Sequence, residues 1–123
     1  MGVMKKLPRA AIKIDFGTEV RLGHGKVRLL ELIAETGSIS AAARQMEMSY
    51  RRAWLLIDEV NGIFGNPVVE TATGGTGGGG ARITPLGEAV VAAFRDIESH
   101  ATELVQARLA KLLKPRGRVR REA

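Results

Sequence analysis

The sequence predicts a mainly α fold with a small β-hairpin and a long last helix, and three observations carry that expectation. Apolar residues recur at helical spacing in several segments, the last running from about Pro85 to Leu113. Period-two alternation is confined to short stretches, and two of these flank a tract rich in glycine. The length of 123 residues, 45% of them apolar, suits one domain with one modest core.

The elements follow in order along the chain. Residues 10–16 alternate Ile12, Ile14 and Phe16 with Lys13 and Asp15, the pattern of a half-buried strand. A turn-rich stretch around Gly17, Gly23 and Gly25 leads to a first helix over 26–35. Val27, Leu30 and Ile33, joined by Leu29 and Leu32, form its apolar face, and Gly37 is placed to end it. Ser38 stands as N-cap of a second helix carrying Ile39, Ala42, Ala43 and Met46. Its alanines keep it thin, so another helix can approach closely. After Glu47 and Met48, Ser49 is the candidate N-cap of a third helix running to about Phe64. Ala53, Trp54, Ile57, Val60 and Phe64 share one face there, and Arg51, Arg52, Asp58 and Glu59 lie off it. Short strands are expected at 67–72 and 82–84. Thr84 and Pro85 then have the residue types of an N-cap and first helical position. In the last helix Gly87 weakens only the first turn. Leu86, Val90, Phe94, Ile97, Ala101, Leu104 and Leu112 follow near-heptad spacing, a stripe longer than a small domain can cover. A partner helix is expected on Val90, Phe94, Ile97, Ala101 and Leu104. The domain is therefore drawn over 10–113, with a flexible N-terminus at 1–9 and a basic tail at 114–123.

The charge is less informative than its total suggests. The net charge is +6, but Lys114, Arg116, Arg118, Arg120 and Arg121 against Glu122 give the tail +4. The body carries only +2, so composition alone does not establish a polyanionic partner. The chain has no cysteine, which excludes a disulfide framework and a thiolate metal site. No apolar run approaches the ~18 residues of a membrane span and no signal pattern opens the chain, so the expected location is the cytoplasm, with no membrane partner.

The second and third helices with their short connection have the form of a helix-turn-helix. Such a unit projects the polar N-terminal face of its second helix into a DNA major groove about 12 Å wide and anchors the rear on its neighbours. Ser49, Tyr50, Arg51 and Arg52 crowd that first turn, with Ala53 and Trp54 beginning the anchor. An arginine there can grip guanine through two hydrogen bonds or take a phosphate, and sequence leaves that choice open for Arg51 and Arg52. Tyr50 is open between packing and contact. Ser38, Ser40 and the start of the second helix are candidates for a backbone phosphate held by peptide N–H groups.

Six of the fifteen glycines fall in residues 74–80, and Gly75 to Gly80 formally match the G-x-G-x-x-G pattern. A dinucleotide site needs a helix directly after the glycines, whereas a strand with Arg82 follows here. No Lys-Ser or Lys-Thr follows either, which removes a P-loop. Two readings stay open: a linker between ordinary strands, or a wing tip whose Thr73, Gly74, Gly75, Thr76 and Gly77 approach the DNA backbone beside Arg82. With the wing the architecture is a winged helix-turn-helix with a long C-terminal dimerisation helix.

At 38–54 and 71–84 the sequence resembles the N-terminal domain of the molybdate-responsive ModE-type transcriptional regulators. The matching strings are GSIS and the small residues after it at 37–43, SYRRAW at 49–54 and TATGGTGGGGARIT at 71–84. The helix-turn-helix is also similar to that of LysR-type regulators, while the glycine-rich wing is particular to the ModE type. The resemblance covers roughly residues 10–110. It implies a homodimer, joined largely through terminal elements, that binds a palindromic operator in double-stranded DNA. It also implies a recognition role for Ser49, Tyr50, Arg51 and Arg52 and a wing over 73–82. Full-length members of that family carry an oxyanion-binding module after the long helix, whereas this sequence stops at KPRGRVRREA. The module is therefore expected to be missing, and molybdate is not expected to bind this chain.

The expected function is a sequence-specific regulator, with a non-sequence-specific architectural DNA-binding protein as the alternative. Neither His24 nor His100 has a metal-ligand or general-base partner at recognisable spacing. Asp58 and Glu59 are adjacent and point apart, and Glu98, His100 and Glu103 read as an exposed helix face. No enzyme activity and no cofactor are expected.

Overall fold

The computed structural model describes residues 7–72 and 80–113. It opens on a β-hairpin of β1 (Lys13–Asp15) and β2 (Arg21–Gly23), paired antiparallel with Ile14 opposite Leu22. The strand expected over 10–16 is thus shorter. It ends because the Asp15 carboxylate accepts a hydrogen bond from the Gly17 N–H at 2.8 Å, turning the chain where Gly17 takes φ 86°. Phe16 lies in that turn, 42% exposed, its ring edge-on to Phe64 at 5.7 Å. The stretch expected only to turn supplies β2, where Leu22 and Gly23 are buried and Leu22 brings the apolar side chain.

The hairpin leads directly into α1 (His24–Thr36), which starts before the expected Lys26. Val27, Leu29, Leu30, Leu32 and Ile33 are all buried, so α1 is the central helix, covered on more than one side. It ends as expected at Gly37, whose φ of 71° lets its N–H reach the Ile33 carbonyl at 2.8 Å. Next come α2 (Ile39–Gln45) and α3 (Tyr50–Phe64). Ala42 and Ala43 are buried and keep α2 close to α1. Between the two helices Glu47 adopts φ 57° and the Met48 N–H bonds back to the Ala43 carbonyl at 3.0 Å. On α3 the buried face is Ala53, Leu56, Ile57 and Val60. Trp54 and Phe64, expected on that face, are half-buried at its edges, and Leu56 takes the central place.

A second hairpin follows, formed by β3 (Val69–Ala72) and β4 (Gly80–Ile83), with Val69 opposite Ile83 and Glu70 opposite Arg82. This is the wing, and its tip at 73–79, including Thr73, Gly74, Gly75, Thr76 and Gly77, lies outside the described residues. The last strand ends one residue before the expected Thr84. That residue instead caps α4 (Pro85–Leu109): its hydroxyl accepts from the Gly87 N–H at 3.0 Å and donates to the Pro67 carbonyl at 2.9 Å. A single 3₁₀ turn over Ala110–Leu112 finishes the described chain, in place of the continuous helix expected to Leu113.

Gly87 is more than a weak point in the first turn. It is buried, and a Cβ built there would collide with the Val68 carbonyl oxygen and lie 2.7 Å from Ile83 Cγ1. A glycine is required because α4 starts in contact with the hairpin backbone. Farther along, Arg95 joins α4 to α1 through two hydrogen bonds to Glu31, at 2.9 and 3.0 Å, and also bonds Glu98 at 2.7 Å. The guanidinium holds the Glu31 carboxyl below its ordinary range, against the opposing effect of burial. Of the stretch 1–9 only Leu7–Arg9 is described, and there the Pro8 carbonyl accepts from Gln106 Nε2 at 3.0 Å. The Ala10 N–H likewise bonds Thr102 Oγ1 at 3.0 Å, so the chain before β1 runs along the distal half of α4.

Candidate nucleic-acid interface

The first turn of α3 is presented by two hydroxyl caps. Ser49 Oγ accepts from the Arg52 N–H at 3.0 Å and Ser38 Oγ accepts from the Ala41 N–H at 3.0 Å, fixing where each helix begins. Behind the turn Ala53 is fully buried, so the axis of α3 is seated firmly on the core. In front of it Tyr50, Arg51 and Arg52 are all exposed, with Ser49 beside them.

Helical spacing sends these side chains to different sides. Tyr50 and Trp54 stand one turn apart with their rings edge-to-face at 6.5 Å. They wall a groove of about 310 Å³ completed by Ser38, Ile39, Ser40, Thr71, Ala72, Gly80 and Ala81. This groove joins the first turn of α3 to the start of α2 and the base of the wing. Arg51, Leu55 and Asp58 point outward and are exposed. Arg52, Leu56 and Glu59 face the other way, toward the β1–β2 hairpin and the start of α1.

The remaining expected contacts divide in the same way. Ser38 is half-buried, and its N–H donates to Thr36 Oγ1 at 3.2 Å while its hydroxyl caps α2. It therefore serves the fold, and exposed Ser40 is the serine presented at that end. Arg82 is exposed on β4 within 3.4 Å of Glu70, itself exposed. Such a pair contributes about 1 kcal/mol or less, so Arg82 is readily available to another anion.

The stripe expected to meet a partner helix splits between two surfaces. Val90 and Phe94 are 5% and 1% exposed because they pack into the chain's own core, and they reach the surface only as part of the lining of an apolar groove beside Ile97. Ile97 and Leu104 are 48% and 53% exposed, with Ala101 half-buried between them. Beside Ile97 lies an open apolar groove of about 410 Å³, walled by Ile14, Phe16, Phe64, Leu86 and Ala93.

Of the groups weighed for catalysis, His24, His100, Glu59 and Glu98 are in pairings of their own. His24 Nδ1 is 3.2 Å from Arg95 Nη1 and His100 Nδ1 is 3.0 Å from the Asp96 carbonyl. Glu59 pairs with Lys26 and Glu98 with Arg95. Among the described residues no three His, Asp or Glu side chains come together to hold a metal ion, and no helix is long and apolar enough to cross a membrane.

Comparison with known proteins agrees with this geometry. The chain is 46% identical over 88 residues to the molybdenum-pterin-binding protein MopB of Rhodobacter capsulatus, covering 72% of this chain and 33% of that protein. It is 38% identical over 98 residues to the molybdenum transport protein ModE of Azotobacter vinelandii, covering 80% of this chain and 36% of the relative. Against the DNA-binding transcriptional dual regulator ModE of Escherichia coli K12 the identity is 44% over 66 residues, covering 54% and 25%. The chain thus spans about a third or less of the length of these curated relatives. Residues 25–88, more than half of the chain and the whole segment from α1 through the wing to the first turn of α4, match the model of the bacterial regulatory helix-turn-helix proteins. The chain belongs to the lysR family of bacterial regulatory helix-turn-helix proteins, a DNA-binding class of transcription regulators.

Proposed function

We propose that this protein is a cytoplasmic, non-catalytic, sequence-specific regulator that binds a palindromic operator in double-stranded DNA as a homodimer. The observation that carries the proposal is the exposed turn Ser49–Tyr50–Arg51–Arg52, capped at its start and seated on fully buried Ala53. Arg51 is the residue assigned to a base edge because it points outward from the axis of α3. Ser40, Arg82 and the wing tip, Thr73 to Gly77, are assigned to the phosphate backbone. Homodimerisation is supported by exposed Ile97 and Leu104 and by the apolar groove beside Ile97. Two copies would place their recognition helices about 34 Å apart on one face of the duplex, so the operator should be an inverted repeat. Molybdenum belongs to the relatives' names and is not part of the proposal.

The test is selection of bound sequences from a random duplex pool, with oligomeric state measured at the same concentration. A two-fold-symmetric consensus bound ~10³-fold or more above random DNA is the expected result. Uniform recovery of the pool would replace this reading with that of an architectural DNA-binding protein.

A further inference from the structure

The flank of α3 opposite the wing carries a basic cleft of which the functional reading above uses Arg52 alone. Arg52, Leu56 and Glu59 form one wall, and the β1–β2 hairpin and first residues of α1 form the other, enclosing about 580 Å³. Lys13, Arg21, Lys26 and Arg52 line it against the carboxylates Glu19 and Glu59. Glu59 engages Lys26 at 3.2 Å. Arg21 reaches Asp15 only at 3.9 Å, and both side chains are more than half exposed. Among the described residues Lys13 and Arg52 enter no ion pair. His24, also in the lining, is turned to Arg95. The cleft therefore presents three water-exposed cations from β1, β2 and α3, two of them without a carboxylate partner among the described residues, with half-buried Lys26 of α1 beside them.

A helix seated in a major groove about 12 Å wide has a sugar-phosphate backbone on each side. One side of α3 faces the wing and the start of α2. The basic cleft faces the other. Its exposed cations suit phosphates, which are held by charge and by release of condensed counterions and not by base-specific geometry. We propose that Lys13, Arg21 and Arg52, with Lys26 behind them, form a second phosphate-binding flank that holds the DNA strand across the major groove from the wing. The proposal rests on α3 being the recognition helix, and it separates the two arginines: Arg51 reads a base and Arg52 holds the backbone.

The test uses the double variant Lys13→Ala/Arg21→Ala, with Lys13→Gln/Arg21→Gln as a second variant that keeps a polar side chain and much of the aliphatic stem without the charge. Both positions are exposed, and thermal melts check the fold. Affinity for the selected operator and for random duplex is measured across salt concentrations. Each lost phosphate contact should reduce the slope of log affinity against log salt by about 0.9, so the double variants should lose about 1.8 on both DNAs. The ratio between operator and random DNA should stay as in the unaltered protein. An unchanged slope, or a loss confined to the operator, overturns the second flank. If the unaltered protein discriminates and Arg51→Ala abolishes that discrimination while the double variants keep the full slope, the flank alone falls. If the unaltered protein binds no duplex, the recognition reading falls with it.

Discussion

Replacing Gly87 with alanine sets helix propensity against packing, and the two effects have opposite signs. Propensity favours alanine by about 0.8–1.0 kcal/mol inside a helix. Against that, the new methyl collides with the Val68 carbonyl oxygen and comes within 2.7 Å of Ile83 Cγ1. Neither neighbour yields easily. The Val68 oxygen is backbone and already accepts from the Thr84 N–H at 3.0 Å, while Ile83 is paired with Val69 in the wing. Relief requires the first turn of α4 to move off the hairpin, an overpacking strain of about 1–3 kcal/mol and occasionally more. A clash with a backbone oxygen puts the strain in the upper part of that range, so the net expectation is a loss of about 1–2 kcal/mol, or roughly 4–10 °C in Tm for a domain of this size. Gly62→Ala is the matched control. Gly62 is exposed within α3 and a Cβ there meets nothing within 4 Å, so the same substitution should stabilise by up to about 1 kcal/mol. Both variants are to be unfolded thermally and in urea beside the unaltered protein, at one protein concentration because association would shift Tm. Gly87→Ala as stable as the parent would refute the claim that α4 needs a glycine to approach the hairpin.

Three further outcomes are expected. Glu47→Gly should stabilise the protein by about 0.5–1 kcal/mol in urea titration: relief of a left-handed residue is worth about 1–2 kcal/mol and the added freedom of the unfolded chain opposes it. Glu31→Gln should cost about 1 kcal/mol at neutral pH by weakening the hold on Arg95. The Glu31 carboxyl is depressed in the folded state, so its contribution is full above the ordinary glutamate range and is lost as pH falls through the lower folded value. The gap in Tm between parent and variant should therefore begin to narrow on acidification below about pH 4.5 and close once the folded carboxyl is protonated, and a gap independent of pH through acid denaturation would speak against the ion pair. In binding titrations Arg51→Ala should lose about 1–3 kcal/mol on the selected operator and little on random duplex. Arg52→Ala should weaken both DNAs to similar extents.

Features set by local chemistry were legible in the sequence, and features set by convergence were not. Ser38, Ser49 and Thr84 each cap the helix they were expected to cap, with Pro85 in the first turn after Thr84 and Gly37 ending α1, because capping depends on one hydroxyl or one φ value. The strand Arg21–Gly23 escaped notice because three residues with one apolar side chain show no period. Periodicity placed Val90, Phe94, Ile97 and Leu104 on one stripe but does not say what covers each stretch of it. The first two turned out to complete the core and the latter two to face outward. Trp54 lost its expected place to Leu56: Trp54 lies half-buried against Tyr50 in the groove wall, while Leu56 is 8% exposed within the core. The second basic flank left no linear signal at all, since Lys13, Arg21, Lys26 and Arg52 meet only after the β1–β2 hairpin folds back on α1 and α3.

One of the ties that fasten the wing to the helix-turn-helix runs from backbone to backbone. The Ala81 N–H on β4 donates to the Gly37 carbonyl at 2.9 Å, at the residue that ends α1 and immediately precedes the Ser38 cap of α2. No side-chain replacement short of proline removes that donor, so the spacing between wing base and helix-turn-helix is insulated from most substitutions that retune either part. On the proposed reading, recognition can then drift residue by residue, at Arg51 or along the glycine tract, while the caliper that would span the DNA keeps one setting. A fixed caliper also has less conformational freedom to surrender when it closes on its target, which leaves more of the contact energy available for telling one sequence from another.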